Sequence, residues 1–156
     1  MVDNGLNAEH EKYMQLALQE ARRAFILDET PIGCVIVHDG KVIASAANQR
    51  ANQKNVLFHA EIIAIGDACR IIGDWRLENC ALYVTLEPCA MCAGAILQAR
   101  IPLVVYAAKS PKAGCAGSIL NILEEPRFNH TARVITGVCE AESAALMSDF
   151  FKKFRK

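Results

Sequence analysis

The sequence carries no net charge: 17 Lys and Arg offset 17 Asp and Glu over 156 residues. A nucleic-acid partner would therefore have to be held by local basic patches rather than by the field of the whole molecule. No apolar run reaches the roughly 18 residues needed to cross a bilayer, so no membrane span is expected. The opening stretch, "MVDNGLNAEHEKYM", is polar and lacks the apolar core of a signal peptide, which places the chain in the cytoplasm. Its seven cysteines are an odd number in a chain without an export signal. A disulfide framework is therefore not expected, and the thiols read as metal ligands or small core residues. Repeats, low-complexity tracts and linker-like segments are missing too. What is there is a composition 53% hydrophobic and 22% charged, that of a globular chain. Residues 1–156 fit one domain, long enough to bury roughly two-thirds of the unfolded surface.

Periodicity supplies the elements. Residues 8–26 carry a helical stripe through Tyr13, Met14, Leu16, Ala17, Ala21 and Ala24. "CVIVHDGKVIASA" is two β-rich runs joined by Asp39-Gly40, a tight-hairpin signal. A second helix fits 60–72 and ends at Gly73. Next, "ALYVT" reads as a strand, "PCAMCAGAILQAR" as a helix with Pro88 in its first turn, and "LVVYAA" as a strand. That βαβ unit implies parallel strands with a right-handed crossover. Lys109 to Phe128 reads as loop with a short helix around Ile119–Leu123, "ARVITG" as a last strand, and "AESAALMSDFFKKFRK" as an amphipathic helix. A hairpin followed by βαβ predicts an α/β protein, a mixed sheet between helices in a three-layer α/β/α sandwich.

Chemistry concentrates in two short stretches. In "VLFHAEIIAI" a histidine and a glutamate interrupt an apolar run, although an unpaired charge is costly to bury. In "TLEPCAMCAGAIL" Cys89 and Cys92 stand three apart on one face of a helical first turn, where the helix dipole favours thiolates. A lone C-x-x-C fits a redox pair or half of a structural zinc site equally well. With His59 as third ligand, two thiolates and an imidazole suit tetrahedral zinc and leave a fourth position for water, the catalytic arrangement. Glu61 then reads as the proton carrier rather than a ligand, its burial eased by the neighbouring dication. H-A-E followed after 26 residues by P-C-A-M-C also matches the known signature of zinc nucleobase deaminases. The class is matched to that signature, not deduced from spacing alone.

From Leu16 to Phe154 the sequence resembles the bacterial tRNA-specific adenosine deaminases. "ETPIGCVIV", "HAEI", "WRLENCALYVTLEPCAMCAGAI", "KAGCAGS", "RFNH" and "LMSDFFKKFRK" follow that family's order and spacing. The resemblance implies a cytidine deaminase-like fold with a mixed five-stranded sheet, one Zn2+ per chain on His59, Cys89 and Cys92, and Glu61 as proton shuttle. It implies substrate contacts at Asn48, Ala60, Ser110 and Lys112, a homodimer, and conversion of adenosine to inosine in a tRNA anticodon loop. The sequence departs from the family at Val56, Leu57 and Phe58, at Ala47, and at Ser110, which stands where a carboxylate is usual. Two alternatives remain at this point: the same chemistry on cytosine or adenine in other single-stranded nucleic acid or a free base, and an inactive zinc-stabilised RNA-binding module. Retention of Glu61 argues against the second.

Other residues carry weaker signals. Lys152, Lys153, Arg155 and Lys156 read either as a solvated helix end or as contacts to RNA phosphates alongside Lys109 and Lys112. His130 reads as a structural hydrogen-bonding residue; His10 and His38 have no partner nearby in sequence. Cys34, Cys69, Cys80 and Cys139 read as core, and Cys115, in a glycine-rich stretch, as the exposed thiol.

Overall fold

A computed structural model describes residues 4–154. Helix α1 spans Asn4–Ile26, and strands β1 (Gly33–His38) and β2 (Lys41–Ala47) form the hairpin. Its turn is Asp39-Gly40, with φ of 50° and 73°, the left-handed pair that a two-residue loop needs between right-twisted strands. Helix α2 (Ala60–Ile72) ends on Gly73, whose left-handed conformation lets its N–H reach the Cys69 carbonyl at 2.9 Å. Strand β3 (Cys80–Leu86), helix α3 (Ala90–Gln98) and strand β4 (Leu103–Ala108) form the crossover unit, β3 and β4 pairing in parallel. Strand β5 (Arg133–Thr136) adds parallel to β4, and α4 (Glu140–Phe154) closes the described chain.

The sheet order is β2-β1-β3-β4-β5, antiparallel on the hairpin side and parallel on the other. Strand alternation sorts the core into two faces. Cys34, Ile36, Leu82, Val84, Val104 and Tyr106 face α2 and α3. Val35, Val37, Tyr83, Val105 and Ala107 face α1, while α4 packs along β4 and α1 on that side, with Phe150 edge-on to Phe25. The three-layer α/β/α sandwich with a mixed five-stranded sheet is therefore realised. Helix α1 lies so close to β1 that a Cβ on Gly33 would run into the Ala17 carbonyl. Among the described residues, no helix is long and apolar enough to cross a membrane.

Three local expectations need correction. Pro88 precedes the helix instead of entering its first turn: Cys89 is extended and caps α3, which begins at Ala90. No helix forms around Ile119–Leu123. The amides of Ala116 and Ser118 bond the Glu87 carboxylate, and the chain reverses at Gly117 into an Ala116–Asn121 bridge. Those donors are unavailable for a helical turn. For the same reason Cys115 is buried, not exposed, its N–H held by the Pro88 carbonyl at 2.8 Å. Cys34 and Cys80 are buried as expected, whereas Cys69 and Cys139 are half-buried. Arg155 and Lys156 lie outside the described residues.

His10 does find a partner, through the fold: it is buried, with Nδ1 2.7 Å from the Tyr83 hydroxyl. Burial holds its pKa below the ordinary 6.5, with Glu9 opposing and Arg133 adding to the effect. The unfolded chain therefore takes up this proton first, and the stability His10 contributes is full above about pH 6.5 and falls as pH drops below it. Between about pH 7.5 and 5.5, thermal unfolding of His10→Gln should lose less stability than the parent. Equal losses in the two proteins would remove His10 from the account.

Candidate metal centre and catalytic cavity

Two helix N-termini meet at one end of the sheet. His59 is the N-cap of α2 and Cys89 the N-cap of α3, and their side chains face each other across the two helix starts. Cys92, one turn into α3, completes the group. His59 Nδ1 lies 3.5 Å from Cys92 Sγ and 3.7 Å from Cys89 Sγ, and the three donor atoms all lie within 4.8 Å of one another. Zinc bonds of about 2.3 Å to sulfur and 2.0 Å to nitrogen would set tetrahedral N···S edges at roughly 3.5 Å. The donor set fits such an ion in chemistry and in spacing.

Electrostatics prepare the same group for a cation. The Cys89 thiol is held down to about 3 by a hydrogen bond from Cys92, against burial, with His59 helping. That bond and burial push the Cys92 thiol up, so an anionic sulfur sits at the positive end of α3. The hydrogen bond to Cys89 raises the His59 pKa, with burial opposing. Glu61, the second residue of α2, is 4% exposed. Burial raises its pKa, countered by its backbone N–H and by Cys92. Glu61, His59 and Cys89 line a cavity of about 150 Å³, walled by Ile32, Leu86 and Ser110.

The other expected contacts are distributed around this cavity. Ala60 is buried at the start of α2. Asn48 is buried at the end of β2, where its backbone N–H bonds the Ile32 carbonyl, so it stands behind a wall residue. Its amide donates to Glu29 at 3.2 Å. Lys112 is not in the cavity. It lines an adjoining apolar groove of about 520 Å³ with Leu86, Lys109, Ser110, Met147 and Phe151. Ser110 borders both spaces. Lys153 pairs instead with Asp28 and lies over Phe25, which favours a structural use of that cation. His130 donates from Nε2 to the Ile101 carbonyl at 3.0 Å, also a structural bond.

Sequence reasoning missed two buried carboxylates, Glu29 and Glu87, exposed by 2% and 3%. Their signal was a charged residue in a short segment flanking a motif, Glu29 in "DET" and Glu87 in "LEP".

A deaminase family described as MafB19-like matches residues 8–155. The tRNA-specific adenosine deaminase of Bacillus subtilis is 48% identical over 146 residues, covering 94% of this chain and 91% of that protein. The chain belongs to the tRNA-specific adenosine deaminase family. Agrobacterium fabrum has a member 45% identical over 148 residues, covering 95% of this chain and 97% of that one. A solved structure from a study of A-to-I editing by tRNA:A34 deaminases superposes with a TM-score of 0.83 at 46% identity, covering 86% of this chain and 98% of that one. The guanine deaminase of Nitrosomonas europaea shares the fold, with a TM-score of 0.78 at 23% identity over 90% of this chain and 83% of that one. Membership of the adenosine deaminase family agrees with the resemblance carried by the H-A-E and P-C-A-M-C segments.

Proposed function

We propose that this protein hydrolyses adenosine to inosine at the wobble position of a tRNA anticodon loop, using one zinc ion held by His59, Cys89 and Cys92. The observation that carries the reading is a buried carboxylate, Glu61, in one small cavity with two members of a soft three-donor group. Zinc, when bound, supplies the Lewis acidity that makes water a nucleophile near neutral pH. Glu61 takes a proton from the attacking water and delivers it to the purine ring nitrogen. Once the bond from water oxygen to carbon 6 has formed, Glu61 takes the remaining proton from that oxygen and passes it to the exocyclic amine. The carbon–nitrogen bond breaks, ammonia leaves, and Glu61 ends as it began. Glu29 fixes the orientation of the Asn48 amide behind Ile32 of the cavity wall, and Asn48 and Ala60 are read as substrate contacts on family resemblance. The neighbouring groove suits a flanking nucleotide: Phe151 and Met147 offer an apolar surface for a base, and Lys109 and Lys112 offer charge to phosphate.

The test is ammonia release from an anticodon stem-loop RNA, a single-stranded DNA and free adenosine. Turnover of the RNA well above the free nucleoside is expected; turnover of free bases alone would overturn the substrate. The whole chain is read as one catalytic unit, working in the cytoplasm where that substrate is made. It is also read as a symmetric homodimer, supported by family membership and by exposed apolar side chains on and beside α2: Val56, Leu57, Ile71 and Trp75. Native mass at micromolar concentration should be twice the 17.1 kDa of one chain. A single-chain mass would remove the dimer.

Ser110 favours a second reading, in which single-stranded DNA is also accepted. A carboxylate at this place can accept a hydrogen bond from a ribose 2′-hydroxyl, the group that separates RNA from DNA, while repelling nearby phosphates. Serine is neutral and accepts a weaker bond, since charge-assisted bonds are about twice as strong. Its site bordering both cavity and groove puts it where such a contact would act. The RNA preference should therefore be about 1–2 kcal/mol smaller with serine than with aspartate. The parent should deaminate single-stranded DNA measurably, and Ser110→Asp should raise the RNA/DNA ratio of kcat/KM. An unchanged ratio on matched stem-loops ends the idea.

A further inference from the structure

We infer that Glu87 is a positioning residue for the nucleic acid: its carboxylate folds the 109–118 segment into the wall that presents Ser110 and Lys112. The inference rests on the nucleic-acid substrate proposed above. Glu87 follows β3 directly, and its own N–H bonds the Ala108 carbonyl at 2.9 Å. The side chain is almost fully buried, and no lysine or arginine among the described residues pairs with it. A buried carboxylate without a cation must be satisfied by dipoles.

All its partners come from one loop. Oε1 accepts from the Ser110 N–H at 3.1 Å and from the Ser118 hydroxyl at 2.5 Å. Oε2 accepts from the N–H groups of Ala116 and Ser118, both at 3.0 Å. Gly114 passes directly against the carboxylate, where any Cβ would collide with it. Glycine is thus required there by close approach. The Cys115 N–H closes onto the Pro88 carbonyl and the Gly114 N–H onto the Ser110 carbonyl, both at 2.8 Å.

This carboxylate stands where a loop 23 to 31 residues further along the chain is tied to the strand end that leads into Cys89. The tie decides where Ser110 and Ala113 stand in the cavity and where Lys112 stands in the groove. Its oxygens are fully engaged by the loop, so it acts through that loop and not on the reacting atoms. An amide in its place would turn an NH₂ group toward backbone N–H donors. At least one charge-assisted bond would be lost and the wall would open.

The experiment compares zinc-loaded parent, Glu87→Gln, Gly114→Ala and Ser118→Ala on the anticodon stem-loop RNA. In Glu87→Gln, KM should rise about tenfold to hundredfold, the worth of one hydrogen bond to a charged group, with kcat nearly unchanged and one zinc retained. Gly114→Ala, which presses on the same carboxylate from the loop side, should give the same split. Ser118→Ala, which leaves three of the four bonds, should give a smaller rise, and these two variants carry the test if Glu87→Gln does not fold. Unchanged KM, or kcat falling in step with lost zinc, overturns the inference; the latter would make Glu87 a support of the metal ligands. A parent inactive on the stem-loop refutes the functional reading instead. In that event amide exchange decides the tie itself: exchange at Ala116 and Ser118 no faster in Glu87→Gln than in the parent would refute it.

Discussion

Glu61→Ala should deaminate about 10²–10⁴-fold more slowly than the parent, with zinc content and fold intact, which is roughly 3–5 kcal/mol of barrier. The prediction rests on what Glu61 touches. It lines the cavity with His59 and Cys89 but is not among the three donor atoms that converge for a metal. Removing it leaves those donors in place; among the described residues the other carboxylate on the cavity wall is Glu87, whose oxygens are all engaged. Glu61→Gln, which keeps the shape and removes the basic oxygen, should be nearly as slow. Either variant within a few-fold of the parent would reassign Glu61 to a structural role, whatever the metal content.

Legibility in the sequence followed the range of each interaction. The Asp39-Gly40 turn, the stripe of α1 and the stop at Gly73 are set by neighbours a few residues away, and each stood where local rules placed it. His59, Cys89 and Cys92 were legible because ligand type and spacing carry the chemistry even before the fold brings them together. The segment after β4 was not. Its shape depends on one carboxylate at Glu87, and no local periodicity announces that the amides of Ala116 and Ser118 go there. Hence the expected helix near Ile119 and the expected exposure of Cys115 both failed through one cause. Pro88 was misplaced for a related reason: its carbonyl receives the Cys115 N–H, a long-range bond that helps hold the helix start one step later. The partnership of Glu29 with Asn48 was likewise invisible, since it joins residues on either side of the hairpin.

Cys89→Ala should abolish stoichiometric zinc and, with it, deamination. Cys89 is the cleaner of the two thiols to remove. Cys92 is fully buried inside α3, so its truncation would also leave a small cavity and mix a packing loss into the result. Cys89 is half-buried at the N-cap, so alanine there costs α3 the hydrogen bond with Cys92 and the dipole interaction of a thiolate but opens no core cavity. Two donors, His59 and Cys92, would remain, too few for the three-ligand catalytic site. Elemental analysis should therefore find about one zinc per chain in the parent and far less in the variant. Because an ion that binds only the folded state stabilises by mass action, the parent should also lose unfolding temperature on chelation, by a shift worth about 4 kcal/mol at a thousandfold excess over Kd. The variant should show almost none of that shift. Cys139→Ala, half-buried and outside the donor group, serves as the control and should behave like the parent. Full zinc in Cys89→Ala would mean that the ion, if bound, is held elsewhere, and the site would have to be rebuilt without the α3 N-cap.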